Sequence, residues 1–246
     1  MSDQSPLGIL TASIDIPRIT STKHMSTLDY YGLADASIAA EASNFLARLT
    51  DGVEEEMKRT IEAFLRITQN DCSGHAEDKR ACWLTIRLTK RSNAFEIPRW
   101  HQDGCMFPYD EGREEVVRSK YGLTLLGPST LMLESDEHVC NMQREGEAQH
   151  YWWREKLAHE PSEDEMYDAD VKLWGWLANK FEHTPRVQVG RGEVVRFSWG
   201  RDDSPVHSEP DLISDRVFMT VLYGSEMELR RMCEWRDVQY GGFCEQ

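Results

Sequence analysis

The chain is short of positive charge. Its 28 Lys and Arg stand against 43 Asp and Glu, a formal net charge of -15 at pH 7. A nucleic-acid-binding face needs clustered cations to displace counterions from phosphates, so no nucleic-acid partner is expected. Long apolar runs are also missing: none approaches the roughly 18 residues of a membrane span, and no membrane association is expected. The start of the chain lacks the basic and then apolar order of a secretory signal, because Asp3, Gln4, Ser5 and Pro6 interrupt it. A cytoplasmic location is the resulting expectation. The six cysteines (Cys72, Cys82, Cys105, Cys140, Cys233 and Cys244) show no Cys-x-x-Cys spacing. That argues against a zinc ribbon or a disulfide scaffold and for ordinary thiols, with Cys105 a packing residue or a support for its neighbours rather than a nucleophile.

What is present is a chain of 246 residues with an ordinary 40% hydrophobic content, read as one domain over 1–246. Residues 1–30 carry Pro6, Pro17 and scattered Ser and Thr without sustained periodicity and read as an extended arm, pinned by Ile14, Ile16 and Ile19. Residues 31–70 read as two helices. Asp35 is a cap, and Ile38, Ala42, Phe45, Leu46 and Leu49 recur at helical spacing. After Asp51-Gly52, the run Glu54-Glu55-Glu56 suits a second helix N-terminus, with Val53, Met57, Ile61, Phe64 and Leu65 as its apolar face.

Strand texture follows over 81–224. Ala81 to Thr89 puts Leu84, Ile86 and Leu88 on one face and Trp83, Thr85 and Arg87 on the other, from which Arg87 is a candidate substrate contact. Further strands are expected at Phe95–Trp100, Tyr121–Leu126, Thr130–Leu133, Val187–Val189, Glu193–Phe197 and Arg216–Tyr223, with a short helix after the last. Residues 134–186 interrupt this texture as an acidic, partly helical insert. Leu173, Trp174, Trp176, Leu177 and Phe181 are spaced for one helix, and Tyr151, Trp152 and Trp153 suit either a core or a substrate pocket. The insert is expected to cover the site and choose the substrate.

Chemistry concentrates at Arg99-Trp100-His101-Gln102-Asp103-Gly104. Side chains two apart on extended backbone point the same way, so His101 and Asp103 form a pair of metal ligands if a third arrives from elsewhere. His207 is that third candidate. Two His and one carboxylate with open positions form the facial triad of non-haem Fe(II) oxygenases. His75-Ala-Glu77 and His207-Ser-Glu209 have the same local form, but His75 sits in loop sequence, and neither His75, Glu77 nor Glu209 is expected to bind the metal.

A strand leading to His101-x-Asp103, a long interval, His207, and Arg216 nine residues later together resemble the Fe(II)/2-oxoglutarate-dependent dioxygenase superfamily. The resemblance covers about residues 81–224. It implies an α+β fold with a mainly β core, a double-stranded β-helix of jelly-roll or cupin type buttressed by the N-terminal helices. It also implies Fe(II) on His101, Asp103 and His207, with 2-oxoglutarate and dioxygen as co-substrates. Arg216 would pair with the distal carboxylate of 2-oxoglutarate. Many members carry Ser or Thr two residues after that arginine, where this chain has Phe218, and Tyr121, Thr124 and Thr130 are the candidate replacements. Asp103 in place of Ala or Gly argues against a halogenase.

The reaction implied is hydroxylation, desaturation or oxidative cyclisation of a small molecule, as in specialised metabolism, since the sequence holds no repeat or recruitment module. Two other classes use the same pattern. One is a zinc hydrolase with Glu209 as its base, and the other a catalytically inactive β-helix protein binding a partner through the acidic insert.

Overall fold

A computed structural model describes residues 6–72, 76–92, 97–103, 118–154, 161–199, 204–211 and 213–236. His75, Phe95, Cys105, Arg201 to Asp203, and Cys244 lie outside them. The described residues hold five α-helices and nine strands, and every strand pair is antiparallel. None of these helices is long and apolar enough to cross a membrane.

Helix α1 (Ala36–Leu49) begins where Asp35 accepts a hydrogen bond from the Ser37 amide, and α2 (Glu54–Asp71) follows with three glutamates in its first turn. Ile38, Ala42, Leu46, Met57, Ile61 and Phe64 are buried. Val53, expected on the apolar face of α2, instead precedes the helix and is exposed.

Both helices pack on one face of a six-stranded sheet. Its strands are β1 (Leu7–Ser13), β2 (Ser26–Leu33), β3 (Ala81–Thr89), β4 (Arg118–Leu126), β7 (Glu193–Trp199) and β9 (Arg216–Gly224), in the order β1-β7-β4-β9-β3-β2. Leu84, Ile86, Leu88, Tyr121, Leu123, Val217, Met219 and Val221 fill the helix side. Ile14 and Ile19 are buried in the same core and Ile16 packs on it, as expected. The extended arm is a correction: residues 7–13 and 26–33 are the two edge strands of this sheet. An edge strand has a neighbour on one side only and is sparsely buried here, so β1 needs little of the apolar alternation that marks an inner strand.

A second sheet has the order β6-β5-β8, from β5 (Leu131–Leu133), β6 (Arg186–Val187) and β8 (His207–Ser208). Met132 of β5 packs against Val195 and Phe197 of β7, joining the inner faces of the two sheets. Residues 97–100 form no strand, in contrast to the expectation. Pro98 has no N–H to give to a ladder, and pairing begins only at His101, which bridges to His207.

The insert holds α3 (Glu137–His150) and α4 (Glu163–Lys180), packed on each other. Ser162 and Glu165 close a capping box at the start of α4, and the acidic first turn faces solvent. Leu173, Leu177 and Phe181 join Val139 in a third core whose other members are Leu133, Trp100 and Val206. Trp100 and Val206 immediately precede His101 and His207, and alternation sends each pair to opposite faces. The helix pair therefore backs the second sheet, and none of its described residues lines the cavity that holds His101, Asp103 and His207. After β9, α5 (Glu226–Arg236) buries Leu229, Met232 and Cys233 against Tyr31 and Leu222, while Met227 is exposed.

Leu177→Ala tests the supporting role. Deleting this fully buried side chain should cost about 2–5 kcal/mol in urea unfolding and lower divalent-metal affinity with it. Altered substrate kinetics at unchanged stability would instead make the insert a cover.

Candidate metal centre

His101 and His207 sit opposite each other in a reciprocal backbone pair: each amide donates to the other's carbonyl at 2.9 Å. Directly paired residues share a face, and here the ring centroids are 4.3 Å apart. Further bonds lock the segment in register. The Arg99 amide donates to the Ser208 hydroxyl at 2.8 Å, and Gln102 Nε2 donates to the Ser204 carbonyl at 2.5 Å.

The histidines are oriented alike. Nδ1 of His101 lies 2.8 Å from the Arg99 carbonyl, and Nδ1 of His207 lies 3.0 Å from the Pro205 carbonyl. A carbonyl only accepts, so each Nδ1 carries a proton, and in the neutral imidazole it is Nε2 that holds the lone pair for a metal. Both Nε2 atoms face Asp103 Oδ1, at 3.9 Å from His101 and 3.8 Å from His207. The three ligand atoms lie within 4.8 Å of one another, and this is the one such cluster among the described residues. Burial, then the neighbouring His101, pushes the His207 imidazole down to about 4, so it is neutral and able to ligate at physiological pH. Two imidazoles and a carboxylate suit a divalent first-row metal such as Fe(II), and the backbone carbonyls on Nδ1 are the outer partners such ligands need.

Asp103 has a second partner that was not anticipated. Lys120 of β4 places Nζ 2.6 Å from Oδ2, leaving Oδ1 to face the imidazoles. Burial pushes the Asp103 carboxyl up, but Lys120, His207 and His101 outweigh it and hold it well below the usual carboxylate range. The lysine neutralises a carboxylate that is otherwise nearly enclosed.

The three ligands open into a cavity of about 450 Å³ lined also by Arg87, Thr130, Phe197, Glu209, Arg216 and Phe218. Arg216 is buried in its lining. Its Nε donates to the Pro128 carbonyl at 3.0 Å, Nη2 donates to Thr130 Oγ1 at 2.9 Å, and the guanidinium lies 4.2 Å from the Phe218 ring centroid. Gly127 makes this approach possible: its φ is +82°, and a Cβ there would meet the Asp215 carbonyl at 2.5 Å. Burial lowers the Arg216 pKa to about 10 against the favourable Glu209 carboxylate, so the group stays cationic.

Of the three hydroxyls considered beside Arg216, the structure brings Thr130 to it. Tyr121 is on the opposite face, donating to Asp71 of α2 at 3.0 Å. Thr124 is paired with Phe218 on the cavity face but is not among the residues lining this cavity. Trp152 and Trp153 are not brought to it either. They pack on each other in a short turn after α3, with Tyr151 against Trp153 and bonded to Asp170. Arg87 does line the cavity, and its Nη1 donates to Glu209 Oε1 at 2.7 Å. Glu209 also accepts from Arg99. Burial raises the Glu209 carboxyl, but Arg87 and Arg99 outweigh it and leave it acidic, a poor base for a hydrolase.

No family model matches the chain, and no curated protein does. Similar solved structures include a dioxygenase for auxin oxidation in rice, with 9% identity and a TM-score of 0.39 over 88% of this chain and 60% of that one. A Pseudomonas putida prolyl-4-hydroxylase shows 11% identity and a TM-score of 0.34 over 82% and 93% of the two chains. The non-heme iron oxygenase OrfP shows 13% and 0.30 over 73% and 68%. At such identities and scores the likeness assigns no chemistry to this chain.

Lys120→Met tests the charge balance. The metal-free protein should lose about 1–3 kcal/mol, and added Co(II) should raise its melting temperature more than that of the wild type, because the metal replaces the missing cation. Equal metal-induced shifts would exclude this role for Lys120.

Proposed function

We propose that this protein is an Fe(II)- and 2-oxoglutarate-dependent oxygenase acting on a small molecule, with its two sheets forming a double-stranded β-helix. The observation that carries the reading is the convergence in one cavity of His101, Asp103 and His207 with a buried, cationic Arg216. Fe(II) bound by those three residues, together with 2-oxoglutarate and dioxygen, supplies the oxidising chemistry. The chain's own residues set its conditions. Nδ1–H bonds to backbone carbonyls keep both imidazoles facing inward, and Lys120 fixes which carboxylate oxygen is presented. Arg216 offers its remaining N–H groups to a carboxylate, and Thr130 occupies the hydroxyl role left vacant by Phe218. The zinc hydrolase alternative is weakened by Glu209, whose carboxylate is occupied by two guanidinium groups.

Anaerobic addition of Fe(II) and 2-oxoglutarate should produce a weak visible charge-transfer band. His101→Ala, Asp103→Ala and His207→Ala should lose iron while His75→Ala keeps it, and full iron occupancy in His207→Ala would overturn the ligand set. Arg216→Lys keeps the charge but loses the planar fork, and should weaken 2-oxoglutarate binding by about 1.5–3 kcal/mol.

A further inference from the structure

Charges lining the cavity are matched in pairs, with two exceptions. Arg87 is paired with Glu209 and Lys120 with Asp103. Among the described residues Arg216 has only neutral hydrogen-bond partners, which suits an incoming carboxylate. The other exception is Asp29 of β2, which lines the cavity and has no cationic partner among the described residues. Its Oδ1 accepts from the Trp83 indole N–H at 2.9 Å and from the Thr85 hydroxyl at 2.7 Å, both on β3. Those two bonds fix the carboxylate and leave Oδ2 as its remaining acceptor.

Strand register locates this group. Gly122, Thr220, Thr85 and Asp29 lie in one row across β4, β9, β3 and β2. Lys120, Leu222, Trp83 and Tyr31 form the neighbouring row on the same face. Asp29 is thus three strand spacings from β4, roughly 14 Å across the sheet, on the flank opposite the metal ligands' partner Lys120. Beside it Trp83, which also lines the cavity, is held by stacking on the buried Tyr31 with centroids 5.2 Å apart, and an indole favours cations.

We infer that Asp29 is the substrate-anchoring carboxylate, and that the substrate is an organic amine bound as its ammonium ion and oxidised at a carbon several bonds from the nitrogen. A single available oxygen suits a point-like ammonium better than the two-toothed guanidinium fork. Arg87, two residues along β3 from Thr85 and on the same face, is engaged by Glu209 and so competes little for Asp29. This inference rests on the oxygenase reading for the oxidation, but the amine site itself requires no iron.

The probes are 2-phenylethylamine and 2-phenylethanol, alike in shape and different in charge, with binding followed by saturation-transfer NMR on the full chain. The amine should bind at least about tenfold tighter, with or without Fe(II) and 2-oxoglutarate, and 0.5 M salt should reduce that preference. Asp29→Asn retains an oxygen for Trp83 and Thr85 and should abolish the preference. Equal affinities in the wild type, or a preference that survives Asp29→Asn, would overturn the inference. If that variant fails to fold, the wild-type salt series decides: a salt-insensitive preference overturns it. Indifference to the amine in protein that binds Fe(II) and 2-oxoglutarate defeats the inference alone, whereas amine binding in protein that fails to take up added Fe(II) defeats the oxygenase reading alone.

Discussion

The site depends on one backbone pairing, the reciprocal hydrogen bonds between His101 and His207. Residues far apart in sequence become direct neighbours across a two-residue bridge, and pairing of that kind leaves their side chains no choice but to share a face. A shift of one residue on either side would replace an imidazole by Trp100, Gln102, Val206 or Ser208. Trp100 and Val206 are instead sunk into the core formed with α3 and α4, so a slip would also turn one of these apolar side chains out of that core. Ligand geometry is thereby tied to hydrophobic burial on the opposite face.

That coupling explains the layer order. Helices α1 and α2 support the six-stranded sheet, α3 and α4 support the second one, and the cavity lies on the inner faces between them. A metal site gains precision when its ligands stand on supported strands, because the ligands' positions are set before the ion arrives. Cationic and anionic groups are then distributed along the same inner face. Lys120 compensates Asp103, and Arg87 and Arg99 compensate Glu209, while Arg216 and Asp29 are the two charges proposed here to take carboxylate and ammonium partners.

Much of the scaffold was legible because inner strands and amphipathic helices repeat their pattern. Alternation in 81–89 separated Leu84, Ile86 and Leu88 from Trp83, Thr85 and Arg87, and the structure buries the first three in the core. The N-terminal strands were not legible, since β1 is largely exposed and β2 breaks its apolar run with Asp29. That same aspartate is what gives β2 a place in the cavity.

The sequence by itself determined the candidates for the site: a His-x-Asp pair on extended backbone, a distant histidine, and an arginine opening an apolar strand. Those readings needed no tertiary contact, because side-chain direction along a strand is local, set by alternation within a few residues. Only tertiary structure decided what each candidate meets. Tyr121 and Lys120 are adjacent in sequence, yet one bonds Asp71 beside the helices and the other bonds Asp103 in the cavity. Thr130 reaches Arg216 through the turn at Gly127, and Trp152 and Trp153 stay outside the cavity lining. Register, cross-sheet distance and charge pairing belong to pairs of segments, and no single stretch of chain encodes them alone.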